Sequence, residues 1–160
     1  MDAATATAEK IYIRHFVRAD TPSLLAIERE SFDNPWRESD FRLVMSQRNC
    51  IGMAAECQNK IVGYFAYEHL HGKKIRLLNI AVSPIMRRGG IGRLMIDKLK
   101  EKLGVSVKKL IAEVRESNLA AQIFLRSCGF RAVNVLVDYW EDTDEDAYLF
   151  LYRESECGGT

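Results

Sequence analysis

Apolar residues recur along this chain with two periods, and the switches between them predict the order of its elements. From Ile11, the alternation of Ile11, Ile13, His15 and Val17 with Tyr12, Arg14, Phe16 and Arg18 has the period of a half-buried strand. Asp20-Thr21-Pro22 then opens a helix, a capping side chain ahead of a proline suited to the first turn. Leu24, Leu25 and Ile27 carry it to Phe32, and Asn34-Pro35 breaks it. A second short helix runs from residue 38 to about 45 with Phe41, Val44 and Met45 on one face. Residues 52–57, 61–68 and 74–82 read as three strands of an antiparallel meander, turning at Gln58-Asn59-Lys60 and at His71-Gly72-Lys73.

The stretch from Arg76 to Gly104 organises the rest. The run Leu77-Leu78-Asn79-Ile80-Ala81-Val82 ends at Ser83-Pro84, and Arg87-Arg88-Gly89-Gly90-Ile91-Gly92-Arg93 leads into a helix with Ile91, Leu94, Met95, Leu99 and Leu103 on one face and Gly104 as its stop. A strand feeding a helix through such a turn leaves several backbone N–H groups unpaired and aimed at one point, with the helix dipole behind them. Glycine there lets the backbone take φ > 0 and lets a phosphate come close, and Arg87, Arg88 and Arg93 add positive charge. The spacing excludes a Walker loop, because no Lys-Ser/Thr pair follows Gly92. It also fails the dinucleotide fingerprint, because Met95 stands where the third glycine belongs, although Glu113 lies about 20 residues on, where a ribose-binding acid is expected. What remains is Arg-x-x-Gly-x-Gly, filled by Arg87, Gly90 and Gly92; the competing reading is a plain strand-to-helix turn.

Residues 109–114 form a short apolar run expected to lie parallel to the strand ending at Val82, reached by a right-handed crossover. Glu113 inside that run is an exception to burial rules and a candidate general base; the competing reading pairs it with Arg115 on the same strand face. Ser117 is expected to cap a helix from Asn118 to Ser127 that Gly129 ends, and strands follow at about 131–140 and 147–153. Between them, Glu141-Asp142-Thr143-Asp144-Glu145-Asp146 begins like a calcium loop but has Ala147 where glycine is required and Arg153 where the closing glutamate belongs, so it reads as a solvated hairpin turn.

Composition narrows the classes. A chain of 160 residues that is 48% hydrophobic and 28% charged reads as one soluble domain, residues 11–153, between flexible tails at 1–10 and 154–160. Its net charge of +1 offers no broad attraction to nucleic acid or an anionic membrane, and no apolar run approaches the length of a bilayer span. The four cysteines have no C-x-x-C or metal-ligand spacing, His69-x-His71 lacks a third ligand, and no signal peptide is recognisable, so no metal and a reducing cytoplasmic setting are expected.

The run NIAVSPIMRRGGIGRLMIDKL followed by AEVRESNLAAQIFLRSCGF resembles the acetyl-CoA core of the GNAT superfamily of N-acetyltransferases, and with ESFDNPW at Glu30 to Trp36 it is most similar to the RimI-type branch, which acetylates the N-terminal amine of a ribosomal protein. The resemblance covers residues 11 to 153. It implies an α/β fold, an antiparallel meander followed by a parallel βαβ core in a mixed sheet with helices on both faces. The first two helices and their connection, Pro35-Trp36 included, would lie beside the acceptor groove. It further implies that acetyl-CoA is the cosubstrate, with Arg87, Arg88, Gly89, Gly90, Ile91, Gly92 and Arg93 around its pyrophosphate, the backbone of Ile80, Ala81 and Val82 along its pantetheine arm between two splayed strands, and Asn118 against the same arm. Glu113-Val114-Arg115 matches the Glu-Val-Arg of the catalytic base, and the acceptor becomes an amine, a protein N-terminus first and a small molecule second. One departure stands out: Leu125 occupies the position of the branch's thiolate-protonating tyrosine, which leaves Tyr139 as a distant substitute and an acyl-CoA-binding protein of little turnover as a rival reading. The sequence is silent on oligomeric state.

Overall fold

The computed structural model describes residues 10–154. The expected tails fall outside them, except for Lys10 and Glu154. Seven strands form one mixed sheet in the order β1-β2-β3-β4-β5-β7-β6, comprising β1 (Tyr12–His15), β2 (Cys50–Cys57), β3 (Lys60–Leu70), β4 (Lys74–Val82), β5 (Lys109–Arg115), β6 (Arg131–Trp140) and β7 (Glu145–Tyr152). Four helices accompany them: α1 (Thr21–Ser31), α2 (Glu38–Ser46), α3 (Ile91–Lys100) and α4 (Leu119–Ser127). β4 and β5 are parallel, joined through α3, whereas β1-β2, β2-β3, β5-β7 and β6-β7 are antiparallel, so the α/β mixed sheet expected from the sequence is the one observed.

The chain divides into two compact units, one of residues up to Glu68 with Leu78–Leu99, the other of His69–Leu77 with residues from Lys100 onward. In the first, α1 and α2 place Leu24, Ile27, Phe41 and Val44 against Ala54, Tyr64, Ala66 and Ala81 of the strands. Phe41 sits at the centre of an aromatic cluster, edge-on to Trp36 and Tyr64 at 5.3 Å each and to Phe16 at 6.1 Å, geometry that favours the ring quadrupoles. The β2-β3 hairpin turns on Gln58 and Asn59 with φ of 51° and 62°, the two left-handed residues of the turn that matches strand twist. The second unit buries Ile75, Leu77, Leu110, Ala112, Val114, Leu125, Phe130 and Phe150.

Several local expectations are corrected. β1 ends at His15, so the buried side chain is Phe16 and not Val17, which is exposed; the Phe16 ring lies over Gly52, where a Cβ would come within 1.9 Å of it. Asp20 does not cap α1. Its carboxylate accepts the Val17 N–H at 2.7 Å and pairs with Arg14, closing the short 3-10 turn Arg18–Asp20 that precedes the helix. Arg14 holds that carboxyl below the usual aspartate range. In α3 the inward residues are Ile91, Met95, Ile96 and Leu99, while Leu94 is exposed and the helix stops at Lys100, short of Leu103.

Candidate active site

In the first unit, β4 runs into the glycine-rich loop. Ser83 N–H donates to the Val62 carbonyl at 2.8 Å, and a 3-10 turn, Pro84–Met86, follows. Buried Met86 and Ile91 root the two ends of the loop. Arg88 and Gly90 take φ of 64° and 85°, and Gly89 between them does not take positive φ. Backbone of alternating hand turns successive N–H groups into one concavity, which is how a protein holds a phosphate without a dedicated side chain. The first-turn N–H groups of α3, whose ladder begins with Leu94 N–H to the Gly90 carbonyl at 2.9 Å, have no acceptor four residues back in the helix and carry its positive dipole end. Residues 88–93 therefore fit a pyrophosphate by backbone geometry. Arg88 and Arg93 are exposed there, but Arg87 folds back, its Nε donating to the Val82 carbonyl at 3.0 Å and its Nη2 to Ser31 Oγ at 2.9 Å. It clamps the strand end.

Along β4, Ile80 N–H donates to the Oδ1 of Asn79 at 2.9 Å. Asn79 Nδ2 donates to both oxygens of Glu28, at 3.1 and 3.0 Å, and to Tyr64 Oη at 3.1 Å. Glu28 also accepts Trp36 N–H at 2.9 Å. The sequence reading passed over this network. Its signal was available, since Leu24, Ile27, Glu28 and Ser31 share one helical face, and Asn79 interrupts an apolar run. Burial pushes the Glu28 carboxyl above the usual glutamate range, against the lowering by Trp36 N–H and Asn79.

In the second unit, β4 and β5 share three parallel pairs, Lys74 with Lys109, Ile75 with Leu110 and Arg76 with Ile111. β5 continues along β7 as far as Arg115, and Glu113 lies on its half-buried face. Glu113 and Arg115 share that face as expected but do not pair. Glu113 Oε1 accepts from Arg76 Nη1 at 3.2 Å, while Arg115 reaches Asp142 at 2.9 Å and Glu145 at 3.2 Å and lies 4.3 Å over the Trp140 ring. Part of the acidic hairpin is thus committed to Arg115, which lowers the Asp142 carboxyl. Among the described residues no group of acids, histidines and cysteines is placed to hold a metal.

α4 is capped by Asn118 and not by Ser117: Asn118 Oδ1 accepts Ala121 N–H at 3.1 Å, leaving its Nδ2 outside the cap, and Ser117 N–H goes to Glu145 Oε1 at 3.2 Å. Leu125 is buried at 3% exposure, an apolar side chain in an apolar setting. Tyr139 is exposed, its ring edge-on to Trp140 at 4.9 Å. No helix among the described residues is long and apolar enough to cross a membrane.

The pattern that defines the acetyltransferase (GNAT) family matches residues 21–130. The chain is 33% identical over 135 residues to the [ribosomal protein bS18]-alanine N-acetyltransferase of Escherichia coli K12, an alignment covering 81% of this chain and 88% of that protein. The crystal structure of the Escherichia coli ribosomal-protein-S18-alanine N-acetyltransferase superposes with a TM-score of 0.76 at 27% identity, over 94% of this chain and 98% of that one. The fold is shared with Arabidopsis thaliana NAA60, solved in complex with acetyl-CoA, at a TM-score of 0.77 and 19% identity over 90% of this chain and 99% of that one. This chain is a member of the acetyltransferase (GNAT) family, an N-acetyltransferase that takes its acetyl group from acetyl-CoA.

Proposed function

We propose that the acceptor is a protein N-terminal α-amine of the ribosomal-protein-alanine type and that Glu113 is its general base. The similarity to the bS18-alanine enzyme over most of both chains carries the acceptor class. For the base, the carrying observation is that Arg76 Nη1 donates to Oε1 at 3.2 Å while, among the described residues, Oε2 accepts no hydrogen bond, which leaves a proton acceptor on a carboxylate held in place. Acetyl-CoA, when bound, supplies an acetyl group already activated as a thioester. The loop of Arg88, Gly89, Gly90, Ile91, Gly92 and Arg93 holds the pyrophosphate through its N–H groups, and Arg87 fixes the strand end beside it. Ile80, Ala81 and Val82 present their backbone to the pantetheine arm, which Asn118 Nδ2 also meets.

Glu113 takes one proton from the attacking nitrogen, directly or through a water. The task is modest, because a terminal α-amine has a pKa of about 8 and is partly neutral near neutral pH. No acid is assigned at Leu125, and a thiol pKa of about 8.5 makes one dispensable. The same reading makes residues 11–153 one catalytic domain working in the cytoplasm.

The test presents acetyl-CoA with peptides beginning with alanine, the same peptides with a formylated N-terminus, and a panel of small amines, read by mass. Acetylation of the free α-amine alone is expected. Small amines used with a higher kcat/KM than any peptide overturn the acceptor, and Glu113→Gln at wild-type turnover across the pH range overturns the base.

A further inference from the structure

Glu28 is a carboxylate at 1% exposure, and every partner it has among the described residues is a neutral donor. A buried charge without a cation is costly, and packing alone does not call for one on the stripe of Leu24 and Ile27. What the carboxylate does that an apolar side chain cannot is fix polarity at two places. It has only acceptors to offer, so it orients the Asn79 amide with Nδ2 toward α1 and Oδ1 toward Ile80 N–H. It also holds Trp36 N–H, which among the described residues is the only backbone donor of residues 33–36 with a partner. The Trp36 ring is seated separately, against Phe41 at 5.3 Å.

We propose that Glu28 is a positioning residue that couples the acceptor-side segment at Trp36 to the donor strand at Ile80 through the Asn79 amide. The inference rests on the reading of Ile80, Ala81 and Val82 as the strand that meets the pantetheine arm. Occupation of the donor strand loads Ile80, Ile80 N–H loads the Asn79 amide, and the amide shares Glu28 with Trp36 N–H; all of these groups lie in the first unit. The acceptor segment takes its final position only when the acetyl donor is bound.

The chain has two tryptophans, so Trp140→Phe leaves Trp36 as the only reporter. In that background acetyl-CoA is titrated while its binding heat and the Trp36 emission are recorded together. The emission is expected to follow the heat to saturation. Glu28→Gln keeps one oxygen to accept Trp36 N–H and sets its new amide N–H₂ against Asn79 Nδ2, so the donor that met the second oxygen loses its acceptor; it is expected to leave acetyl-CoA affinity within about tenfold, abolish the emission response and raise peptide KM about tenfold, the effect of one lost charged hydrogen bond. Adding Asn79→Asp moves the carboxylate onto β4, where it accepts Ile80 N–H and the new amide at position 28, and is expected to restore the response. Heat without an emission change in the background, an undiminished response in Glu28→Gln, or a double variant no better than the single one overturns the coupling. Absence of binding heat overturns instead the donor-strand reading beneath it. If Glu28→Gln does not fold, Asn79→Ser, which leaves Glu28 and Trp36 N–H intact, is expected to lose the response, and its retention overturns the proposal.

Discussion

Glu113 and Glu28 are both carboxylates set into apolar patterns, and what each meets separates their roles. Among the described residues Glu113 has a cation on one oxygen and no partner on the other, an arrangement that suits the proposed base, and Glu113→Gln is expected to lower kcat by about 10²- to 10⁴-fold while leaving acetyl-CoA affinity within about twofold, by steady-state kinetics and calorimetry. Glu28 has neither. The groups facing it are Asn79 from the sheet, Trp36 N–H, and the charge of Asp40 on α2, which adds to the upward push of burial. The folded protein therefore holds this proton to higher pH than the unfolded chain, whose glutamates titrate near about 4.3. Its contribution to stability is complete below that value and is lost as pH rises through the folded-state pKa. Urea melts at successive pH values are expected to show wild-type stability falling relative to Glu28→Gln over that window; a constant difference removes the claim. At this scale the sequence was legible wherever a residue broke a local pattern, as Glu113 and Glu28 both do. The pairing of Glu113 with Arg76 was not, because it depends on the register of β4 against β5, which no local pattern encodes.

Elements whose signals are local came out close to their sequence bounds. β4 at Lys74–Val82 and β6 at Arg131–Trp140 coincide with the expected spans, and the turn at Gln58-Asn59 has the left-handed backbone its residue types suit. Elements bounded by tertiary contact did not. α3 stops at Lys100 instead of reaching Leu103, whose N–H closes a turn on the Lys100 carbonyl, and β1 is four residues long because Phe16 turns inward over Gly52. Packing around β4 yields a prediction of its own. A Cβ at Gly63 would stand 3.0 Å from the Ala81 carbonyl oxygen and 3.2 Å from Met95 Cε, so β3 comes close to the donor strand only because it has glycine there. Gly63→Ala is expected to cost about 1–3 kcal/mol in denaturant melts and to weaken acetyl-CoA binding, since the rigid neighbour is the backbone of Ala81. Gly104→Ala, with nothing within 4 Å, is expected to be neutral or stabilising by up to about 1 kcal/mol, and a loss there equal to that at Gly63 would mean that packing around β4 is not the cause.

For the whole molecule, the decisive property is which ligand the native state binds and the unfolded chain does not. Composition gave only exclusions: a net charge of +1 identifies no partner. Identity lay in the order and spacing of two motifs, which the family pattern over residues 21–130 confirms; the acceptor depends on side chains brought together by folding and so was legible only as a class. Acetyl-CoA at about 100 times its Kd is expected to add about 2.7 kcal/mol to unfolding. In a chain of this length that is a rise in Tm of roughly 5–11 °C. CoA is expected to give most of the same shift, because the proposed contacts of the loop of residues 88–93 and of the backbone of Ile80, Ala81 and Val82 are to parts common to both. NAD is expected to give none, despite sharing a pyrophosphate: Met95, fully buried, fills the place where a dinucleotide fold needs its third glycine for close helix-strand packing. A shift with NAD equal to that with CoA would reduce the loop to a general phosphate cradle and leave the choice of donor to residues outside it.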